Sequence, residues 1–425
     1  MLQSLLKLIY QNNIMPVLDT GILFCIKYSI TNKGGNMLPF GRMMNYGNIA
    51  PAKPNIKKIL ANNYNVAVLT NSGDLYVRGE NANGLLGLGH KNTVTTWTYS
   101  TSGVQDFWMG ATTIVLKKSN DEIWYSGSST TVGMKGAAVS IWTSAMPTFD
   151  TLTLPILDIA VSYQTTSVLL SDQTIWSTGV GSDGQLGDGT TTNNIAGKFV
   201  KSTVPTAANQ LPVKLFASNL MHGYVTNQGW LFYTGRVNAV TSSGSKLYTI
   251  YYGAPTSLRN TINIKYYTEN GTSMAMAIGT DPNGKTIIAN GGSRIFGAQA
   301  DGTNGSLNDY RAFEVQTASL MPPGDVVSIA NNTSYYNQVI ATTDGIYCCG
   351  YNQSSEAGML GIGTSTNALV YTKAIVPDGF DYSKSQMAGG YNRTYITDGN
   401  FVYSTGTNVT YGGVSSLEFV LDSPV

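Results

Sequence analysis

The 425-residue sequence predicts an all-β protein and, more specifically, a seven-bladed β-propeller. The first observation is repetition: an apolar run, a turn, an aromatic-bearing strand and a closing glycine return seven times. The second is composition, because glycine (47) and tyrosine (26) are plentiful whereas charged residues make up only 12% of the chain, about half the usual ~25%. Small sheets repeated along a chain close into a ring, which leaves only short, protected edges.

The seven copies of the repeat are spaced almost evenly. Three copies are clear, at residues 66–89, 167–190 and 338–363, and four are weaker, at 114–127, 224–235, 274–291 and 394–406. Their closing glycines, 48 to 59 residues apart, are Gly79, Gly127, Gly179, Gly235, Gly291, Gly350 and Gly406. This spacing predicts a single propeller domain over residues 37–425.

Each copy has the chemistry of a β-hairpin. In the first copy the apolar run at 66–69 is followed by a turn containing Gly73 and by a strand containing Tyr76. Valine, isoleucine and leucine favour strands, and glycine supplies the positive φ of a tight turn. Further strand-like stretches precede the hairpins, at 56–61, 156–161, 262–267 and 326–330. These stretches widen each hairpin to a sheet of three or four strands.

The phrases resemble the repeats of the regulator of chromosome condensation family, whose unit carries Gly-Gln-Leu-Gly-x-Gly near its end. Residues 184–189, Gly-Gln-Leu-Gly-Asp-Gly, match best, and the resemblance covers roughly residues 40–425. It implies a seven-bladed propeller closed by pairing strands from both chain ends, with 40–48 as the closing strand. The family's usual histidine before the apolar run is absent. Nothing marks an exchange-factor loop, so we do not expect guanine-nucleotide exchange.

Charge, cysteine and histidine content exclude several functional classes. A net charge of +1 provides no field that would attract nucleic acid or anionic lipid. Cys25, Cys348 and Cys349 are too few for a disulfide framework, and the adjacent pair in a strand points to opposite faces, which favours buried free thiols. Because His90 and His222 are the only histidines, we expect no metal site, no cofactor and no enzymatic activity.

One glycine-rich segment formally satisfies the pattern of a dinucleotide-binding turn. Gly179, Gly181 and Gly184 follow a predicted strand with the required spacing. That chemistry needs a helix after the glycines, because the helix N-terminus holds the pyrophosphate. The residues that follow, 185–192, are poor helix formers interrupted by glycine. We therefore interpret this segment as part of the repeat.

Residues 1–36 do not resemble the repeats. Their apolar run at 14–30 is interrupted by Pro16, Asp19 and Lys27, so it suits neither a membrane span nor a signal peptide, and we expect no membrane insertion. The codons of residues 33–37 can contain a bacterial ribosome-binding sequence and a start codon. One hypothesis is that the native chain begins at Met37. The alternative is a short N-terminal arm.

Equivalent repeat positions lie on one ring around a propeller axis, so we expect the three Tyr-Asn pairs of this sequence at one mouth of the channel. The predicted rim consists of Tyr64, Asn65, Tyr336, Asn337, Tyr391 and Asn392, joined by Tyr163, one position out of register, and His222. Tyrosine rings beside amides suit recognition of protein or carbohydrate. The alternative is that these tyrosines pack between blades. A second surface is expected in the long loops at 236–260, with Tyr251 and Tyr252, and at 298–323.

These features favour a non-enzymatic protein of a bacteriophage particle. We expect it on the tail or a fibre, where it recognises a host receptor or attaches to the particle. Its partners would be other virion proteins or a host cell-surface protein or glycan. The near-neutral surface rich in Asn, Ser, Thr, Gly and Tyr and the bacterial-type ribosome-binding sequence support this expectation. The alternative is a secreted or cell-surface bacterial propeller that binds proteins as an inhibitor or scaffold.

Overall fold

The computed structural model describes the part of the chain that contains the repeats. The described residues are 55–129, 132–205, 210–218, 220–237, 246–253, 262–269, 274–306, 310–315, 320–331, 336–353, 358–391, 393–407 and 409–424. The predicted leader (1–36), the predicted start at Met37 and the predicted closing strand (40–48) lie outside these residues.

The described residues form seven antiparallel sheets, one for each predicted repeat, and each sheet takes four consecutive strands. Blade 1 contains β1 (Ile56–Ala61), β2 (Asn65–Thr70), β3 (Leu75–Gly79) and β4 (Val94–Thr101), and blade 2 contains β5 (Val104–Met109), β6 (Thr113–Lys118), β7 (Ile123–Gly127) and β8 (Val139–Ser144). Blade 3 contains β9 (Ile156–Val161), β10 (Thr165–Leu170), β11 (Ile175–Gly179) and β12 (Val200–Lys201). Blade 4 contains β13 (Pro212–Ala217), β14 (Met221–Thr226), β15 (Leu231–Val237) and β16 (Lys246–Gly253).

The remaining blades repeat this order. Blade 5 contains β17 (Asn263–Glu269), β18 (Met274–Thr280), β19 (Thr286–Ser293) and β20 (Tyr310–Val315), and blade 6 contains β21 (Val326–Asn331), β22 (Asn337–Thr342), β23 (Gly345–Gly350) and β24 (Ala368–Lys373). Blade 7 contains β25 (Gln386–Gly389), β26 (Thr394–Thr397), β27 (Val402–Gly406) and β28 (Ser416–Leu421). Helix is confined, among the described residues, to α1 (Met146–Phe149) and a 3-10 turn (Tyr382–Lys384).

The seven sheets form a closed ring, which confirms the seven-bladed propeller. The first strand of each blade, called the inner strand below, lies at one edge of its sheet and faces the axis. The inner strands of the first and last blades, β1 and β25, contact each other, and the backbone N–H of Ile56 donates to the carbonyl of Gly399 at 2.9 Å. Where we expected strands from both chain ends to pair, the described ring closes by contact between two complete sheets.

Each junction between neighbouring blades has its own apolar core. Val115 of β6, for example, packs with blade 3, whereas its neighbours Ile114 and Leu116 pack with blade 1. Successive side chains of a strand point to opposite faces of the sheet. The second strand of a blade therefore contributes to two cores at once, which explains the burial of residues 113–116 in β6 and the complete burial of β10.

The closing glycines end the third strand of each blade, as predicted, with one correction. Gly79 is paired with Asn65 and has a φ of 142°. A Cβ at this position would overlap the carbonyl oxygen of Tyr64. In blade 5 the residue in this register is Gly292 (φ 102°), paired with Met274, and not the predicted Gly291. The two glycines are adjacent, so only strand register distinguishes them.

The segment after the third strand joins each blade to the next one in the three clear copies. Gly184 and Gly187, in the best-matching copy, lie over the outer strand of blade 4, and Gly189 donates its backbone N–H to the carbonyl of Thr249 at 2.7 Å. Gly89 and Gly363 make the equivalent bonds to blades 2 and 7. The glycine-rich segment thus packs each of these blades against the next one. No helix follows Gly184, so the structural interpretation of this segment is confirmed.

The burial of cysteine and tyrosine side chains tests two further predictions. Cys348 and Cys349 are buried free thiols on successive positions of β23, as expected. The second surface expected around Tyr251 and Tyr252 is wrong for its central part, because residues 246–253 form β16. Tyr251 is buried in the core between blades 3 and 4, where it contacts Tyr224 with ring centroids 5.0 Å apart.

Candidate binding face at one end of the channel

A cavity of about 330 Å³ occupies one end of the channel. Its walls are formed by the carboxyl-terminal ends of all seven inner strands and, in blades 1 to 4, by the loops that lead from them to the second strands. We call this cavity the channel mouth. It is lined by Leu60, Ala61, Asn62, Asn63, Met109, Gly110, Ala111, Val161, Ser162, Tyr163, Ala217, Ser218, Tyr267, Thr268, Ile329, Ala330, Met387, Ala388 and Gly389.

The described residues that line the channel mouth include no Asp, Glu, Lys, Arg or His. The inner strands pair with a neighbour on one side only, so backbone N–H and C=O groups on their other edge face the axis. A charged ligand would lose its hydration here without gaining an opposite charge, which is costly. The mouth therefore suits uncharged polar groups.

A second cavity of about 230 Å³, the side pocket, adjoins the channel mouth. The two cavities share Asn62, Asn63, Ala111 and Tyr163 in their walls. Tyr163 is 43% exposed and lies in the loop between β9 and β10. The predicted position of this tyrosine at the mouth of the channel agrees with the structure.

Tyr64 and Tyr391 come together across the junction of blades 1 and 7. The ring of Tyr64 contacts that of Tyr391 and that of Tyr411, each with centroids 4.9 Å apart. Burial and the neighbouring Tyr391 raise the pKa of Tyr64. These two tyrosines lie on the predicted face and also pack between blades, so both interpretations made from the sequence apply to them.

The repeat register of two tyrosines differs from the predicted one. In blades 1, 2, 3, 4 and 7 the residue that ends the inner-strand loop accepts a turn hydrogen bond, as Asn65 does from Asn62, Thr165 from Ser162 and Arg393 from Gly390. Tyr391 therefore occupies the same position as Tyr163, immediately after the turn donor. Tyr64 and Tyr336 share the next position, so the rim consists of two staggered pairs.

The amides of the predicted rim have structural roles. Asn65 is only 6% exposed, and its Oδ1 accepts from the backbone N–H of Asn81 at 2.9 Å. Asn337 is fully buried, and its Nδ2 donates to the carbonyl of Tyr351 at 3.5 Å. Both residues brace the hairpin inside the blade because they are the first residues of a second strand. Asn392 lies outside the described residues.

His222 was expected at the rim, and this expectation is wrong. The residue is the second one of β14, with no exposed surface, and neither ring nitrogen has a hydrogen-bond partner among the described residues. Burial lowers its pKa to about 3. Because Tyr224, two positions further along the strand, packs between blades 3 and 4, His222 points to the same junction. It is a neutral core residue.

Sequence reasoning missed the residue that shapes this face. Asn62 donates from Nδ2 to the carbonyls of Gly110 (2.8 Å) and Ala111 (3.1 Å) of the next blade, and its Oδ1 accepts from the backbone N–H of Asn65 at 3.0 Å. It thereby fixes two neighbouring loops at the channel mouth. An asparagine three residues before a strand was the only signal, since blades 2, 3, 4 and 7 have Gly110, Ser162, Ser218 and Gly390 at this position.

The opposite end of the channel is charged, and ion pairs hold two of its lysines, Lys58 and Lys214. Lys58 Nζ donates to Asp106 Oδ1 and to the carbonyl of Phe107, both at 2.7 Å. Burial lowers the pKa of Lys58, an effect that the Asp106 carboxylate opposes. Asp158 accepts from the backbone N–H of Leu215 at 2.9 Å and from Trp108 Nε1 at 3.3 Å. These polar groups connect blades 1 to 4 and therefore stabilise the ring.

Groups suited to catalysis or metal binding are not assembled in the described residues. No group of three or more His, Cys, Asp or Glu side chains is placed to hold a metal ion there. Burial raises the pKa of Cys349, and His90 Nδ1 accepts a local hydrogen bond from the backbone of Asn92 at 3.2 Å. Within the same ranges, no helix is sufficiently long and apolar to cross a bilayer.

The ring of sheets and its uncharged mouth define this chain as a seven-bladed β-propeller with a candidate ligand-binding face. No protein-family model and no curated protein matches the sequence. Solved structures resemble the fold, including propellers of the regulator of chromosome condensation type. Prp20p from Saccharomyces cerevisiae, solved in a study of its binding to Gsp1p and histones, has 15% identity and a TM-score of 0.64, covering 84% of this chain and 87% of that chain.

Two more solved structures give similar values. Yeast RCC1 (Prp20) bound to Kap60 has 16% identity and a TM-score of 0.63, with 83% of this chain and 84% of that chain covered. Human WBSCR16 has 15% identity and a TM-score of 0.62, with 79% and 84% covered. At such low identity the likeness establishes the fold alone, in agreement with the fold that the sequence resemblance implies.

Proposed function

We propose that this propeller is a non-enzymatic bacteriophage virion protein, on the tail or a fibre, that recognises a molecule of the host surface through the channel mouth and the adjoining side pocket. The single observation that supports this most is the chemistry of that face. The described lining of the channel mouth is uncharged and includes Tyr163, and the adjoining side pocket has Tyr64 and one charged residue, Glu80, in its wall. At the other end of the channel, Lys58 and Lys214 are held in ion pairs with Asp106 and Asp158.

The composition supports a binding role in the extracellular phase of an infection. A net charge of +1 and 12% charged residues give the surface little long-range attraction for nucleic acid or anionic lipid. Recognition then depends on contact area and hydrogen bonds, which tyrosine provides at low entropic cost. The buried His222 and the buried cysteines are not accessible to a substrate, which fits a protein without catalysis.

The first test is the protein content of purified particles. The proposal expects peptides of this chain at a constant number of copies per particle, and binding of the purified chain to isolated envelopes of the host. Tyr163→Ala should weaken that binding, because it removes the most exposed ring at the mouth. Absence of the chain from particles would overturn the virion role.

The second candidate is a bacterial propeller that binds proteins, as an inhibitor or scaffold, secreted or at the cell surface. One observation favours it: Prp20, the propeller in two of the similar solved structures, has protein partners, Gsp1p and histones in one case and Kap60 in the other. Capture of one bacterial protein at a fixed ratio, together with absence from particles, would favour this candidate.

A further inference from the structure

The size of the channel mouth limits what enters it. Small-molecule sites span about 300–1,000 Å³, and the mouth, at about 330 Å³, is at the lower end of that range. The side pocket adds about 230 Å³ beside Tyr163. One six-membered ring fits inside the mouth, with the continuation of a chain leaving past Tyr163.

The lining of the mouth presents two kinds of surface. Met109, Ile329 and Met387 are apolar residues of this lining that also pack into the cores between blades, whereas Thr268 brings a hydroxyl. The hydroxyl of Ser162 is bonded within its own turn. The free edges of the inner strands add backbone donors and acceptors. A sugar ring has the complementary chemistry, because its C–H faces are apolar and its hydroxyls both donate and accept hydrogen bonds.

Tyr163 provides a platform at the entrance. Among the described residues it has neither a ring contact nor a side-chain hydrogen-bond partner, unlike Tyr64, which packs on two other rings. An amphipathic ring that is 43% exposed at the edge of a cavity is available to stack on an apolar ligand face. Its phenol remains accessible to solvent and to ligand hydroxyls.

We propose that the channel mouth binds one uncharged pyranose ring, the terminal residue of a surface glycan, which stacks on Tyr163. This inference rests on the proposed function and names the chemical class of its ligand. Neutrality decides the class, because the described residues that line the mouth include no side chain that would pair with a carboxylate or an ammonium group. Charged sugars are disfavoured on the same ground, since Glu80, the charged residue beside Tyr163, lines the side pocket and not the mouth.

The experiment uses ligand-observed NMR with the full chain and methyl pyranosides as probes. The panel contains methyl glucoside, galactoside, mannoside and N-acetylglucosaminide, with glucuronate and glucosamine as charged counterparts. We expect at least one neutral pyranoside to bind with a dissociation constant on the order of millimolar, which is the range for so small a ligand. Each charged counterpart should bind at least about tenfold more weakly, because its charge would be buried unpaired.

Three variants locate the site. Tyr163→Ala should weaken binding about fivefold or more, since it removes the stacking surface, whereas Tyr163→Phe should stay within about twofold. Tyr99→Ala is the matched control, because Tyr99 is a tyrosine of similar exposure (51%) on the outer strand of blade 1, away from the channel. An unchanged affinity in Tyr163→Ala, or equal binding of glucuronate and the neutral sugars, would overturn the inference.

Failure of this inference differs from failure of the proposed function. If no pyranoside binds but the chain binds host envelopes, the ligand is a protein, so the inference falls and the virion role stands. If a neutral pyranoside binds and Tyr163→Ala abolishes it, while the chain is absent from particles, the inference stands and the virion role falls.

Discussion

Two junctions of the ring differ in the chemistry that holds neighbouring blades together. They are the junction between blades 3 and 4 and the junction between blades 7 and 1. At the first junction, Thr234 Oγ1 donates to the carbonyl of Gly184 at 2.9 Å, and Gly187 lies against the buried ring of Tyr251. Its core, which includes Tyr224 stacked on Phe232 with centroids 5.0 Å apart, is aromatic and uncharged.

The junction between blades 7 and 1 is ionic at its outer side. Arg78 forms a bidentate pair with Asp422, at 2.6 Å and 2.7 Å, and both side chains are almost completely buried. The guanidinium lies 4.5 Å from the ring centroid of Trp97, whose Nε1 donates to the carbonyl of Asp422 at 2.9 Å. Burial alone would lower the pKa of Arg78, but the hydrogen bonds and charge of Asp422 outweigh it and raise the pKa.

The difference shows how a repeat chain closes on itself. In the clear copies the glycine phrase that follows one blade is continuous with that blade and lies on the next blade in sequence. After the last blade the full phrase is missing, although Gly412, with a φ of 92°, lies against Thr95 in the outer strand of blade 1. A bidentate ion pair gives the final contact a defined geometry that apolar packing alone would leave less specific.

The largest expected effect comes from breaking the ion pair. Asp422→Ala should lower the free energy of unfolding by about 3–5 kcal/mol, because it leaves the Arg78 charge buried and unpaired. Chemical denaturation measures the change. Lys117→Met is the control, because the exposed pair Lys117–Asp121 should contribute only about 0–1 kcal/mol. A loss below about 1 kcal/mol in Asp422→Ala would contradict the ionic account of closure.

Acid should weaken the other junction through His222. The folded pKa of about 3 lies below the ordinary 6.5. The unfolded chain therefore takes up a proton below pH 6.5 that the folded chain does not, and stability falls by about 1.4 kcal/mol per pH unit. By pH 4 the loss should reach about 3 kcal/mol.

The matched variant for this effect is His222→Gln, since blade 6 has Gln338 at the same register position, fully buried. The difference in free energy of unfolding between wild type and variant should be constant above pH 6.5 and should shift in favour of the variant as the pH falls. Parallel pH profiles would show that His222 is not a buried neutral residue.

A smaller effect is expected from the glycine turn. Gly187→Ala should lower the free energy of unfolding by about 1–3 kcal/mol, because φ is 67° and the new Cβ would lie 3.1 Å from the Tyr251 ring. Gly284→Ala isolates the backbone contribution, since its φ is 81° and nothing lies within 4 Å. Equal losses in thermal or denaturant unfolding would show that the turn does not pack on Tyr251.

The smallest expected effect comes from a substitution of Trp97, which tests its part in the ionic junction. Trp97→Phe removes the hydrogen bond to Asp422 but keeps a ring beneath Arg78, so we expect a loss of about 1 kcal/mol. In the Asp422→Ala background the same substitution should cost less, because the second bond of Trp97 Nε1, to Asp422 Oδ1 at 3.2 Å, is gone while the bond to the carbonyl remains. A double-mutant cycle measured by denaturation gives this coupling, and strict additivity would place Trp97 outside the network.

Local chemistry explains how much of this structure is predictable. The inner strands, the hairpins, the buried cysteines and the role of residues 184–189 follow from short patterns whose partners lie within one repeat. Gly292 and His222 show the limit. Neighbouring glycines are equivalent until strand register is known, and a second strand buries both its faces, so a polar residue in it cannot be assigned to the surface from sequence position.

The candidate face was predictable in position and less so in composition. Equivalent loops had to lie at one end of the ring, which placed Tyr163, Tyr64 and Tyr391 there. Which of them packs and which remains open depended on neighbours from other repeats, since Tyr411 is the residue that, with Tyr391, covers Tyr64.

By itself the amino-acid sequence determined seven similar sheets and the turns that place each sheet against the next, because strand periodicity and glycine turns act over a few residues. Only the tertiary structure decided the pairing of Arg78 with Asp422, which are 344 residues apart, and the uncharged lining of the channel mouth. Both arise where residues from distant repeats meet, and no local pattern specifies which distant side chains become neighbours when the ring closes.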